Sequence, residues 1–187
     1  MNPFERIART RQTSSAGEAE QGQGEGRSIA YSRSVTRRLM ELMDANAHGN
    51  VHGGVIMRMV DEAAAIVAIK HSHNPRVVTA RVARFDFLAP AYIGNVVSVD
   101  CEMRYVGRTS MEVGVEVMAE DLVTGEVRHI ASSYVIYVAL DENRRPTPVP
   151  PLVPANDEER EIIERARIQR IQRQKIDEEL RQSGELQ

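Results

Sequence analysis

Between residues 44 and 61 the chain sets an asparagine in a glycine-punctuated loop, a glycine pair, and a carboxylate inside an apolar run. The loop reads DANAHGNVHGG, and the run GVIMRMVDEAAAIVAIKH extends from Gly54 to about His71. The start of a helix presents unpaired N–H groups and partial positive charge, which suits a developing oxyanion. Glycine at 53 and 54 lets a substrate approach that backbone closely. Asp61 is a lone aspartate among apolar neighbours, costly to bury without a partner. It either pairs with a base such as Arg58 or acts on water or a carbonyl as base or nucleophile. Asn46 stands where an asparagine ordinarily caps a turn, beside the glycines of the loop.

Spacing adds a constraint. Asp61 lies eight residues beyond Gly53, which on a helix is ~12 Å. An aspartate side chain reaches only a few ångströms, so one small group can hardly touch both ends of that interval. A second helix, antiparallel across a two-fold axis, would bring its own aspartate beside the first helix's N-terminus. The spacing thus favours a site shared between two copies.

Other reactive types are weaker candidates. His48 and His52 are four apart and His71 and His73 two apart, but no cysteine or acid cluster completes a zinc set, so no metal and no cofactor are expected. His52 is expected to orient the loop through its ring nitrogens. The single cysteine, Cys101, falls in an alternating strand pattern and reads as a packed thiol.

The apolar run is hydrophobic nearly all round, which predicts a buried helix, ended by Asn74-Pro75. From Ser28, IAYSRSVTRRLM reads as a first strand, while RVVTARVARFDFL, NVVSVDCEMRYV, TSMEVGVEVMAED and VRHIASSYVIYVAL follow the helix at hairpin spacing. One central helix followed by an antiparallel meander is an α+β arrangement in which a sheet wraps a helix. Residues 1–27 read as a disordered tail, 28–142 as the folded domain, 143–155 as a Pro-rich linker, and 156–187 as a C-terminal helix and tail. Asn156 or Asp157 is the expected cap of that helix.

The 187 residues suit one domain, and 42% hydrophobic with 27% charged residues is ordinary globular composition. A net charge of -3 offers nucleic acid no bulk attraction. No stretch approaches the ~20 apolar residues of a membrane span, and the N-terminus lacks a signal-peptide core, so a cytoplasmic setting is expected.

The segment DANAHGNVHGGVIMRMVDEAAAI resembles the hotdog-fold acyl-CoA thioesterases, in the branch of the brain-type and small bacterial long-chain enzymes. The likeness continues through FDFLAPAYIGNVV, MRYVGRTSMEVGVEVMAEDLVTGE and PPLVP, over about residues 30 to 175. The resemblance implies a hotdog fold and hydrolysis of medium-to-long acyl-CoA to free acid and CoA. It implies that Asn46 is the catalytic asparagine, with Asn50 the alternative position, that Gly53 and Gly54 open the helix, and that Asp61 is the catalytic carboxylate. The turn Gly107, Arg108, Thr109 and Ser110 would contact the nucleotide, with Arg108 on phosphate, and Val78 and Thr79 would border the pantetheine. The acyl tail would lie along Ile56, Met57 and Val60, each of which taken singly reads as ordinary core. Because Asn46 and Asp61 occur together in one unit, the resemblance implies a homodimer with two equivalent sites, assembled further as a trimer of dimers. The competing readings are a catalytically silent acyl-CoA-binding regulator and a hotdog hydratase or dehydratase. The latter use an Asp and His pair, and Asp61 has no histidine near it on the helix.

Overall fold

Alternating apolar residues in four long strands build one curved sheet, and the apolar helix lies in its hollow. The computed structural model describes residues 25–182. Most of the expected N-terminal tail therefore lies outside the described residues, as do residues 183–187. In chain order the elements are α1 (Ile29–Ser32), β1 (Ser34–Leu39), a 3-10 turn (Leu42–Asp44), α2 (Gly53–Ser72), β2 (Val77–Phe87), β3 (Asn95–Val106), β4 (Ser110–Asp121), β5 (Val127–Ala139) and α3 (Asp157–Gln182). The strands form one antiparallel sheet in the order β1-β3-β4-β5-β2, which leaves β1 and β2 as its edges.

The core is the seam between α2 and the inner face of the sheet. Val97, Val99, Cys101 and Met103 of β3, Met111, Val113, Val115 and Val117 of β4, and Val135 and Tyr137 of β5 are buried there. Against them α2 sets Ile56, Met59, Val60, Ala63, Ala64, Val67 and Ala68. The alanines bring the helix axis close to the strands. Cys101 is fully buried, and burial pushes its thiol well above the usual range, which suits a packed side chain.

Two expectations need correction. The first strand does not begin at Ser28: Ile29–Ser32 is a helical turn, with Ser28 Oγ accepting from Tyr31 N–H at 3.2 Å. The buried Glu159 carboxylate, from α3, accepts from Ile29 N–H (3.2 Å) and Ala30 N–H (2.9 Å), satisfying the turn's free amides. Nor is α2 buried all round. Met57, Ile66 and Ile69 are 46%, 42% and 38% exposed, spread around the uncovered half of the helix that also carries Asp61. Beside that face the edge strand β2 exposes Val78 and Val82.

On the sheet's other face lies α3, its first turn capped by Asn156 Oδ1 accepting from Glu159 N–H at 2.9 Å. Buried Glu112 of β4 takes hydrogen bonds from both Arg170 and Arg173, whose guanidinium groups stack over Tyr105 and Tyr134. Among the described residues no helix is long and apolar enough to cross a membrane.

Candidate active site

The loop before α2 is a small hairpin. Its rungs are His52 N–H to Asp44 C=O (2.7 Å), the Ala45–Val51 bridge, and Asn46 N–H to Asn50 C=O (2.7 Å). Gly49 closes the turn with φ +82, a backbone conformation open to glycine and strained for most other residues. Asn46 Oδ1 accepts from His48 N–H (2.8 Å) and Asn50 N–H (3.2 Å), so the turn-capping role expected of asparagine is present. Those bonds fix the amide plane and leave its NH2 as a donor.

At the end of the hairpin, His52 caps α2. Its Nδ1 accepts from Gly54 N–H at 2.9 Å, which requires the neutral ring with the proton on Nε2. His52 thus orients the loop as its position suggested, and the Gly54 N–H is occupied. The Gly53 N–H is not hydrogen-bonded among the described residues. A cleft of about 420 Å³ opens beside it, lined at its polar end by Asn46, Asn50 and Gly53 and elsewhere by apolar residues including Ile56, Phe87 and Ile130. The Phe87 ring lies over Gly53, where an added Cβ would meet its Cζ at 3.1 Å.

Asp61 is elsewhere. It does not line this cleft, and it is exposed two turns further along α2. Thr79 Oγ1 donates to Asp61 Oδ1 at 2.7 Å. The Tyr137 hydroxyl donates to the Asp61 backbone oxygen at 2.8 Å and lies 3.2 Å from Oδ1. Burial, followed by the nearby Asp61 charge, pushes the Tyr137 phenol up, so it stays a donor at neutral pH. Arg58, the base adjacent in sequence, lies 3.9 Å from Glu62 instead.

The remaining candidates gather on the Asp61 side. Across β2, β5 and β4, Val78 pairs with Val138 and Ser110 pairs with Val138. The Gly107–Ser110 turn is closed by Gly107 N–H to Ser110 C=O at 2.8 Å, Thr109 C=O accepts from Ala139 N–H, and the Arg108 side chain is exposed. The chain therefore holds two separate groups. Asn46 and Gly53 flank the cleft, while Asp61, Thr79 and Val78 lie on the exposed β2 side, with the 107–110 turn two strands further in at the Val78 end of the sheet. Of the expected acyl contacts, Ile56 lines the cleft, Met57 faces out, and Val60 belongs to the core. Among the described residues no cluster of three metal-binding side chains occurs.

The Thioesterase superfamily model matches residues 48–126, the stretch that carries α2, β2, β3 and β4. A human cytosolic acyl coenzyme A thioester hydrolase is 37% identical over 134 residues, 68% of this chain and 35% of the human protein. The chain thus spans about a third of that relative's length. The structure of an apo-hexameric acyl-CoA thioesterase aligns with TM-score 0.76 and 35% identity, covering 82% of this chain and 97% of that one. The chain belongs to the thioesterase superfamily. A Staphylococcus aureus acyl-CoA hydrolase solved with butyryl coenzyme A and coenzyme A aligns at TM-score 0.73 with 34% identity, over 85% of this chain and 96% of that one.

Membership makes the antiparallel sheet around α2 the hotdog fold. It does not explain which groups sequence reasoning overlooked in this superfamily member. Tyr137 sits in an alternating strand that reads as ordinary core, and no local signal marks it as a partner of Asp61. Phe87 was legible only as a strand residue, since its contact with Gly53 joins two elements.

Proposed function

We propose that this chain hydrolyses medium-to-long acyl-CoA thioesters to free acid and CoA, at a site assembled from two copies of the chain. One observation carries the reading: the free Gly53 N–H and the Asn46 amide flank an apolar cleft, while Asp61 stands ~12 Å along the same helix on an exposed face. A second α2, antiparallel across a two-fold axis, would set its Asp61 opposite this cleft. The exposed Met57, Ile66 and Ile69 and the open β2 edge are the surfaces such a pairing would cover. Fifteen positions separate Asn46 from Asp61 (61 − 46). The asparagine and aspartate replaced by alanine in structures of the Staphylococcus aureus hydrolase are also fifteen apart, which supports the assignment.

In this reading the thioester carbonyl oxygen points at the Gly53 N–H and the Asn46 NH2, which stabilise the charge that develops when the carbon becomes tetrahedral. Asp61 of the other copy, oriented by Thr79, either takes a proton from the attacking water or attacks the carbonyl itself. When water attacks, the C–S bond then breaks, the free acid forms, and CoA leaves as the thiol with the proton that Asp61 took. When Asp61 attacks, CoA leaves with a proton from solvent, and water then hydrolyses the acyl-aspartyl anhydride, releasing the acid and restoring Asp61. Arg108, on the 107–110 turn at the Val78 end of the sheet, would meet a CoA phosphate. Residues 28–142 form the hotdog unit of this reading, 143–155 the linker and 156–187 the C-terminal segment. The hexameric structural relative supports a trimer of dimers, and the cytosolic relative a cytoplasmic setting.

The test is complementation. Asn46→Ala and Asp61→Ala chains are assayed separately for thiol release, then unfolded together and refolded. In a mixed dimer one site carries both lesions and the other neither. Activity should return to roughly a quarter of wild type, since half of randomly formed dimers are mixed and each has one intact site. If subunits demonstrably exchange and activity stays at the level of the separate variants, the two residues serve one site from one chain.

A further inference from the structure

We propose that Asp44 is a positioning residue for the reaction, holding the Asn46 hairpin at a set height above the Gly53 N–H. The proposal rests on the reading of Asn46 given above and extends it to a residue that touches no substrate. Asp44 is the base rung of the hairpin: its carbonyl accepts from His52 N–H at 2.7 Å, and His52 begins α2. Its carboxylate is buried and faces the other way, where it is held from two sides. Arg38 Nη2 donates to Oδ1 at 2.7 Å and to Oδ2 at 2.8 Å, and Glu41 N–H donates to Oδ2 at 2.9 Å. Burial alone would raise this carboxyl, but the Glu41 N–H and the Arg38 guanidinium outweigh it and hold it below the usual carboxylate range.

The consequence is geometric. Arg38 belongs to β1, whose pairing with β3 ties it to the sheet. The carboxylate therefore anchors the outer leg of the hairpin to the sheet, while the Asp44 carbonyl anchors the same residue to the first residue before α2. Asn46 is two rungs up this ladder and Gly53 one residue beyond its foot. Any drift of Asp44 changes the separation of the two donors that would share one oxygen. Exposed Leu42 and Met43 precede Asp44 and offer the turn no packing of their own, being 81% and 91% accessible. The carboxylate is what holds that turn down.

Buried charge pairs also stabilise folds, so the experiment separates position from stability by a double-mutant cycle. Wild type, Asp44→Asn, Asn46→Ala and the double variant are compared for kcat and KM with acyl-CoA, for thermal midpoint and for oligomer size. Asp44→Asn keeps an acceptor for the Glu41 N–H and loses the charge pair. It should lower kcat by about 10- to 100-fold, the scale of a sub-ångström to 1 Å misplacement, with KM changed less than about threefold. In the Asn46→Ala background the same change should lower kcat by less than about threefold, while shifting the midpoint equally in both backgrounds. Equal kcat losses in both backgrounds would overturn the proposal, leaving Asp44 a purely structural residue. If Asp44→Asn fails to fold, Arg38→Gln alone, which weakens the tether of Asp44 to β1 and leaves the Glu41 N–H bond in place, enters the cycle in its place, read the same way. An unchanged kcat for Asn46→Ala alone would remove the reading of Asn46 and the positioning role with it, a result distinct from equal losses.

Discussion

Replacing Gly53 by alanine should leave the fold intact and damage the site. The added methyl would stand 3.1 Å from Cζ and 3.4 Å from Cε2 of Phe87. Ordinary carbon contacts are ~3.5–4.0 Å, so the ring must withdraw by about half an ångström. It has somewhere to go: Phe87 is 49% exposed and borders the cleft, although Phe85 packs at 4.8 Å between ring centroids and blocks retreat on that side. The ring should therefore swing over the cleft. Stability should change little, because alanine is favoured over glycine in a helix by up to ~1 kcal/mol, which offsets the tight contact. Catalysis should suffer more, since the methyl and the displaced ring both crowd the free Gly53 N–H. Full loss of one oxyanion donor costs about 10²–10³-fold in kcat; a partial obstruction should cost about 10- to 100-fold in kcat/KM. Thiol release from an acyl-CoA series, with the Tm alongside, reads both. Adding Phe87→Leu to Gly53→Ala should recover at least a few-fold by removing the ring edge. Wild-type kcat/KM in correctly folded Gly53→Ala would refute the assignment of this amide.

Two further outcomes follow from other regions. Arg108→Ala should raise KM for acyl-CoA with kcat nearly unchanged, because a phosphate contact remote from the thioester binds ground and transition states alike; a fall in kcat alone would argue against it. His71 is fully buried at the end of α2, its Nε2 bonded to Pro150 C=O at 3.0 Å, and burial first, then Arg27 and His73, lower its pKa from 6.5 to about 4. The unfolded chain then binds a proton that the folded chain refuses, so stability is intact above pH 6.5 and falls as the pH drops from there towards 4. The loss should total about 3 kcal/mol. Urea unfolding at stepped pH should show that slope in wild type and lack it in His71→Gln; an equal slope in both would exclude His71 as its source.

What sequence alone determined was local. The helix expected over Gly54 to His71 forms over Gly53–Ser72, because apolar run, glycine opening and Asn74-Pro75 stop all act within a few residues. The four strands after it likewise follow their own alternation and turn residues. The first strand was misread because Glu159, 130 residues from Ile29, supplies the acceptor that lets Ile29–Ser32 coil. The same limit applies around Asp61. Adjacency in sequence offered Arg58 as its partner, whereas the folded chain brings Thr79 and Tyr137 to it and sends Arg58 towards Glu62. Gly53 and Gly54 are indistinguishable as letters; only the closed hairpin, which aims His52 Nδ1 at one amide, leaves the other free. The buried stripe of α2 was legible as hydrophobicity, and the four charged residues of the helix, Arg58, Asp61, Glu62 and Lys70, all fall on the uncovered side with Met57, Ile66 and Ile69. That spacing marks which side stays off the sheet, but which strand residues come to meet Asp61 depends on how strands far apart in the chain curve around the helix, and no local pattern carries that information.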